Sequence, residues 1–298
     1  MTQHESTAQS CQRFQGVFVT WNVGLHSPEE GITDAISRIL DTNSDFVSLS
    51  LEEIGRTEDM IDFKVEPPFN LWKDVLISEL KNHTIKFAEN WGTMALFVFV
   101  NNDSNISYEF INSSYILHER ENRPCSKASV AVTQKINNKE MTIVGNHLEC
   151  FDENYQIRNN SWLAVCDKML NDECTIFMGD LNYRIELERP KVLKLIEKGK
   201  INKISDYDQL NRAQNEHPKI KMFKEPKINF PPTYKYDNKC DVYDTSPLKR
   251  IPSYTDRILV YTAEEEESPE NLEYSVIPHR LSDHRPVMAV YQFKSIHS

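Results

Sequence analysis

Apolar residues in this chain fall into short runs separated by polar clusters, and the spacing inside each run sorts them into elements. "GVFVTWNV" (16–23), "DFVSLSL" (45–51), "TMALFVFV" (93–100), "SVAVTQKI" (129–136) and "MTIVGNH" (141–147) are β-branched or aromatic and bounded by turn residues. So are "CTIFMGD" (174–180), "DRILVYT" (256–262), "NLEYSVI" (271–277) and "PVMAVYQF" (286–293), and all nine predict strands. Helical spacing appears in "SPEEGITDAISRIL" (27–40), where Ser27 is placed to cap, Pro28 suits the first helical position, and Ile32, Ala35, Ile36, Ile39 and Leu40 recur on one face. "LWKDVLISEL" (71–80) and "ENYQIRNNSWLAVCDKML" (153–170) read the same way, the second with a stripe of Trp162, Val165, Cys166, Met169 and Leu170. "RPKVLKLIEKG" (189–199) predicts a helix closed by Gly199. Strands and helices interleave, yet several strands follow one another directly. That pattern predicts an α/β fold with mixed sheets covered by helices, not a strictly alternating parallel one.

Composition narrows the class. Residues 1–15 are polar and expected to be a flexible N-terminal segment, with 16–298 as one domain. No apolar run approaches the roughly 18 residues of a membrane span, and the start, "MTQHESTAQSCQRF", lacks the apolar stretch of a secretory signal. Six cysteines are scattered without a C-x-x-C pair, which predicts reduced thiols in a cytoplasmic protein and argues against zinc. The tail "KSIHS" carries no prenylation box. A net charge of −11 disfavours a protein that coats nucleic acid, but it is compatible with a local anion pocket.

Polar groups recur where strands stop. Asn22 ends the first strand, Glu53 follows "FVSLSL", His147 ends "MTIVGN", and Asp180 ends "CTIFMG". Asp283 and His284, in "LSDHRPV", precede the last strand and can reach the same edge from a loop. Ligand sites in open α/β sheets favour the carboxyl ends of strands. Taken singly, each has a plain alternative: a turn asparagine, a satisfied core histidine, a cap. Together they supply what phosphate ester hydrolysis needs: hard oxygen ligands for Mg²⁺ (Glu53, with Asn22), a base for water (Asp180), and donors to phosphoryl oxygens (His147, His284, Asn182). Asp256 is available to hold one imidazole in a fixed tautomer.

The ordered set "TWNV", "LEEI", "NHLEC", "GDLNYRI", "PPTYKYD", "RIPSYTDRIL" and "SDHRPV" resembles the inositol polyphosphate 5-phosphatases, of the endonuclease/exonuclease/phosphatase superfamily with its deoxyribonuclease I-like fold. The likeness runs from about Gly16 to Phe293. "GDLN" and "SDH" speak only for the superfamily; "GDLNYRI", "PPTYKYD" and the R-x-P-S-Y-x-D-R-I-L run speak for the 5-phosphatases. The resemblance implies a four-layer sandwich, two mixed β-sheets packed face to face and flanked by helices. It implies Mg²⁺ held by Glu53 with Asn22 close by, water activated by Asp180, and Asn182 on the scissile group. His147 and His284 become the phosphate-facing imidazoles, Asp256 the partner of His284, and Asp283 a neighbour of the metal site.

Substrate selection is implied to come from Tyr234, Lys235 and Arg250 at the positions that grip a 4-phosphate, with Arg184, Arg158, Asn159 and Lys127 lining the pocket. Some positions depart from the family. Glu52 stands where Gln is usual, "PCSKAS" (124–129) replaces a Gly-rich segment, Tyr254–Thr255 replaces Trp-Cys, and Leu248 replaces a lysine, leaving Lys249 next door. The expected partners are an inositol phosphate or phosphoinositide. A peripheral membrane contact through the apolar residues of 60–72 is left open, nucleic acid is not expected, and the chain is expected to be a monomer. Two rivals stand beside this reading: a nuclease of the same superfamily, and a catalytically dead phosphoinositide-binding module.

Overall fold

The computed structural model describes residues 11–28, 32–118, 126–170 and 173–296. The first sheet contains six strands in the order β10-β11-β1-β2-β4-β3, and the second contains five in the order β5-β6-β7-β8-β9. The first sheet is built from β1 (Cys11–Asn22), β2 (Phe46–Glu52), β3 (His83–Trp91), β4 (Met94–Asn101), β10 (Glu270–Val276) and β11 (Val287–Ile296). The second is built from β5 (Tyr108–Leu117), β6 (Ala128–Ile136), β7 (Lys139–His147), β8 (Cys174–Asp180) and β9 (Asp256–Thr262). Each sheet is antiparallel except for one inner parallel pair, β1 with β2 and β7 with β8.

Strand periodicity explains the layering. Successive side chains point to opposite faces, and in these strands both faces are apolar. Phe14 and Phe18 of β1, Leu96 and Val98 of β4, and Ile176 and Met178 of β8 enter one shared core between the sheets. Their alternates leave the other way. Val17, Val19, Trp21, Phe97 and Phe99 pack with helices α1 (Thr33–Leu40) and α2 (Glu66–Glu79). Phe177 packs with Trp162, Val165 and Met169 of α3 (Tyr155–Met169). Each such side chain contributes roughly 1.5–3 kcal/mol on burial, and covering both faces of two sheets requires four layers. The sheets approach closely at Gly145 of β7, where an added Cβ would meet Ser50 Oγ of β2 at 2.7 Å.

Two sequence expectations need correction, and two strands went unpredicted. The first helix starts at Thr33 behind Ile32, without a side-chain cap, so Ser27 and Pro28 precede it; Leu40 lies exposed, outside the buried stripe of Ala35, Ile36 and Ile39. Strand β1 begins at Cys11 and pairs with β11 from Cys11↔Ile296 onward. Residues 11–15 therefore belong to the sheet, and 1–10 lie outside the described residues, as do Pro124 and Cys125 of "PCSKAS". Strands β3 and β5 carry no clear apolar pattern because each is a sheet edge with a solvent face and an internal register shift. The remaining helices are α4 (Arg189–Glu197), α5 (Gln209–Glu216) and α6 (Pro218–Lys221). Gly199 closes α4 as predicted, at φ +63. No helix among the described residues is long and apolar enough to cross a membrane.

Candidate active site

The two parallel pairs end at the same edge. In register, Asn22 lies opposite Glu52 on β1–β2, His147 opposite Asp180 on β7–β8, and Asp180 opposite Asp256 on β8–β9. Asp180 is the hub. Its Oδ2 accepts Asn22 Nδ2 at 2.9 Å and lies 3.5 Å from His147 Nε2 and 4.0 Å from His284 Nε2. Its Oδ1 accepts the Asn182 backbone N–H at 3.1 Å. Burial, then the neighbouring Asp256, raise its carboxyl above the usual range, against the pull of His284, Lys127 and Asn22. Gly179 permits the turn that delivers Asp180: at φ +147 its missing Cβ would lie 2.0 Å from Asn146 O.

The two imidazoles sit in opposite environments. His284 Nδ1 donates to both oxygens of Asp256 at 3.0 Å, and Thr233 and Thr255 donate to Asp256 Oδ2 at 2.6 and 2.9 Å. Burial alone would lower His284, but Asp256, Asp180 and Asp283 overcome it and push it up to about 10. His147 is held well below its ordinary value by burial and by the cations Lys127 and His284. At neutral pH one ring is therefore a fixed imidazolium and the other a neutral imidazole. His147 Nδ1 is buried with no protein partner among the described residues.

Glu53 reaches the site from a left-handed backbone at φ +56, and Asn182 from φ +57. Side-chain-bearing residues adopt this conformation sparingly, mostly at sites that over-determine it. Glu53 Oε1 lies 3.7 Å from His147 Nε2 and 4.0 Å from Lys127 Nζ, and Lys127 also contacts His147 Nε2. Glu53 and Asp180 thus flank the same imidazole nitrogen. A cleft of about 330 Å³ opens beside Glu53, Lys127 and His147. Glu52, by contrast, is fully buried. It takes hydrogen bonds from Ser50 and Thr20, and burial raises its carboxyl well above the usual range. The extra acid at this position lies inside the fold, out of contact with solvent.

These donors fit a divalent cation. Ligand atoms of Asp180, Asp256 and His284 lie within 4.8 Å of one another. The His284–Asp256 pair is already satisfied internally, so the carboxylate open to an incoming cation is Glu53, half-exposed at the cleft with Asp180 behind it. Carboxylate and amide oxygens are the ligands of Mg²⁺ and Ca²⁺. Asn22 Oδ1 accepts Gly24 N–H at 3.0 Å and keeps its second lone pair.

The rest of the expected set divides. Arg184 bonds Asn182 and stacks over the Tyr234 ring at 4.7 Å, and Tyr234 lies against His284 at 4.4 Å between ring centroids, so these join the centre. Lys235 pairs with Asp283 at 2.5 Å. Arg250 stacks on Phe151, and its N–H is held by Asp244 at 2.6 Å. Lys249 and Leu248 are exposed. Arg158 and Asn159 are both fully buried on α3. Arg158 donates to Glu149 O, Phe151 O and Gln209 Oε1, bracing the loop after His147. Asn159 Oδ1 accepts the Tyr183 hydroxyl at 2.8 Å. Their inward position on the helix was hidden because the surface they face is assembled from distant loops. Thr233, Asp244 and Phe151 had escaped notice, and Thr255 was noted only as a departure from the family; Thr233 and Thr255 lie inside quoted motifs, next to residues that were singled out.

The chain matches the profile of Endonuclease/Exonuclease/phosphatase family 2 over residues 19–290. The chain belongs to the endonuclease/exonuclease/phosphatase family. Within that family it carries an inositol polyphosphate 5-phosphatase domain. It is 34% identical over 175 residues to inositol-1,4,5-trisphosphate 5-phosphatase 1 of Schizosaccharomyces pombe, covering 56% of this chain and 16% of that protein. Against the type II inositol 1,4,5-trisphosphate 5-phosphatase of Mus musculus it is 27% identical over 311 residues, covering 98% of this chain and 31% of that protein. It therefore spans less than a third of these curated relatives. The 5-phosphatase domain of SpSynaptojanin, solved with inositol (1,4)-bisphosphate and calcium, superposes with a TM-score of 0.81 at 23% identity, over 97% of this chain and 87% of that one. This establishes the deoxyribonuclease I-like α/β fold with its two mixed sheets.

Proposed function

We propose that this domain removes the 5-phosphate of inositol polyphosphates and phosphoinositides by direct attack of water on phosphorus. The observation that carries the reading is the convergence of Asp180, Asn22, His147 and the His284–Asp256 pair at one sheet edge, in a chain whose relatives are 5-phosphatases. Asp180 takes the proton of the attacking water; its raised carboxyl brings a base nearer to working pH. Asn22 and the Asn182 backbone N–H fix that carboxylate in place. The P–O bond to the inositol ring breaks as the water oxygen bonds to phosphorus, and the ring oxygen leaves as a hydroxyl with a proton from solvent, to which Asp180 returns the one it took. The His284 imidazolium donates to a phosphoryl oxygen, where negative charge grows, and Asn182 and neutral His147 border the same group.

Glu53, with Asn22, is the proposed Mg²⁺ site; when bound, the cation neutralises the phosphate and polarises it toward attack. Tyr234, Lys235 and Arg250, with Lys249 beside them, are the proposed contacts for a neighbouring 4-phosphate, and Arg184 and Lys127 border the scissile group. Lys235 pairs with Asp283, so a phosphate there would compete with that carboxylate for the ammonium.

The test is phosphate release by the pure chain from inositol 1,4,5-trisphosphate and from vesicles of phosphatidylinositol 4,5-bisphosphate, with Mg²⁺ and with a chelator. Asp180→Ala serves as the blank, and a plasmid-nicking assay runs in parallel. Mg²⁺-dependent release from either substrate is expected. Inert protein, or robust nicking with no phosphate release, would overturn the reading.

A further inference from the structure

Away from the catalytic edge, five lysines, Lys191, Lys194, Lys198, Lys200 and Lys203, rim a depression of about 440 Å³ formed by α4 and the turns that follow it. Its floor is Leu187 and Leu195, and Tyr207 stands exposed at its margin. Asp206 is the single carboxylate in the lining, and Lys191 pairs with Glu188 at 3.3 Å. Among the described residues the other four ammonium groups have no side-chain ion pair. From Arg189 to Lys203 the sequence carries six cations and one acid, Glu197, within a chain of net charge −11. This local reversal of sign has no part in the catalytic chemistry.

We propose that this depression is a docking surface for anionic lipid headgroups, which holds the domain against a negatively charged bilayer. Three observations select that occupant. Every rim cation is a lysine on a flexible stem, suited to a diffuse anionic plane; a single soluble polyphosphate is better held by converging guanidinium forks. The floor is aliphatic and bordered by an exposed tyrosine, and amphipathic rings and long lysine stems of this kind settle at the headgroup level. The depression is also tied to the proposed substrate mouth. Arg189, the first residue of α4, donates to the backbone carbonyls of Arg250, Tyr243 and Asp244 at 3.3, 3.1 and 2.9 Å. At about 1.5 Å rise per residue, Lys191 and Lys194 lie roughly 3 and 8 Å along the helix axis from Arg189. A lipid held there would neighbour a lipid substrate. That last clause rests on the proposed function; the docking itself does not.

The test is co-sedimentation of the full chain with phosphatidylcholine vesicles, with and without phosphatidylserine and without substrate, for the parent and for the triple variant Lys198→Gln, Lys200→Gln, Lys203→Gln. Hydrolysis of soluble inositol 1,4,5-trisphosphate is measured alongside. Binding is expected to require phosphatidylserine, to fall on the order of fivefold for each lysine removed, and to collapse in high salt as the Debye length shrinks. Soluble turnover should be unchanged. Equal binding of parent and variant, equal binding to neutral vesicles, or a matching loss of soluble turnover would overturn the proposal. A parent that releases soluble phosphate yet ignores anionic vesicles would refute the docking surface while leaving the catalytic reading intact.

Discussion

Replacing Asp256 by Asn changes one charge and almost no volume, at the residue that decides the state of His284. In the parent, burial pushes the imidazolium toward neutrality, and Asp256 is the largest influence opposing it, by charge and by hydrogen bond. The rise from 6.5 to about 10 corresponds to a preference on the order of 5 kcal/mol for the charged ring, at 1.36 kcal/mol per unit. Without Asp256 only Asp180 and Asp283 oppose burial, and the ring becomes neutral at physiological pH. Thr233 and Thr255 still find an oxygen or can rotate to accept from the new amide, so the cost to the fold is about 1 kcal/mol. Turnover of inositol 1,4,5-trisphosphate at neutral pH should fall about 10²–10⁴-fold, the range seen when the acid that orients a catalytic histidine is removed. The variant should regain rate as pH is lowered, whereas the parent should stay level until pH approaches about 10. The sign for stability follows the same shift: the raised pKa stabilises the folded parent fully below about 6.5, and that contribution is lost as pH rises through about 10. Rate–pH profiles and ¹⁵N shifts of the ring read both effects. A variant within tenfold of the parent, with an unchanged profile, would refute the division of labour between the two histidines.

Asp180→Asn should abolish turnover by at least about 10³-fold without lowering the melting temperature, because the raised carboxyl means that its charge is a burden to the fold at neutral pH; a calorimetric loss of stability would count against this. Gly179→Ala should cost more than about 3 kcal/mol in urea unfolding, since the new methyl meets Asn146 O at 2.0 Å; a cost under about 1 kcal/mol would contradict the turn geometry. His118 is buried against Ser129 at 2.8 Å and lowered to about 4, by burial and then by Lys127. It remains neutral when folded but takes a proton when unfolded below about 6.5. Stability should therefore be intact above that pH and decline toward pH 4 by up to about 3 kcal/mol, and His118→Gln should flatten that slope.

The apolar runs of β2, β4, β7 and β8 named inner strands directly, because a strand covered on both faces has no solvent to dilute its pattern. The edges β3 and β5 were illegible for the converse reason: one face is wet, and burial no longer constrains every position. The polar residues at strand ends were also legible, because a carboxylate or imidazole closing an apolar run is a local event. Their meeting was not, since Asn22 and Asp180 are 158 positions apart and touch only because two sheets pack face to face. Chain order could name the chemical groups; it could not make one histidine cationic and its neighbour neutral, bury Glu52, or turn Arg158 inward to hold a loop. Those outcomes depend on which charges and carbonyls surround each group once water is excluded, and only tertiary packing assembles that environment.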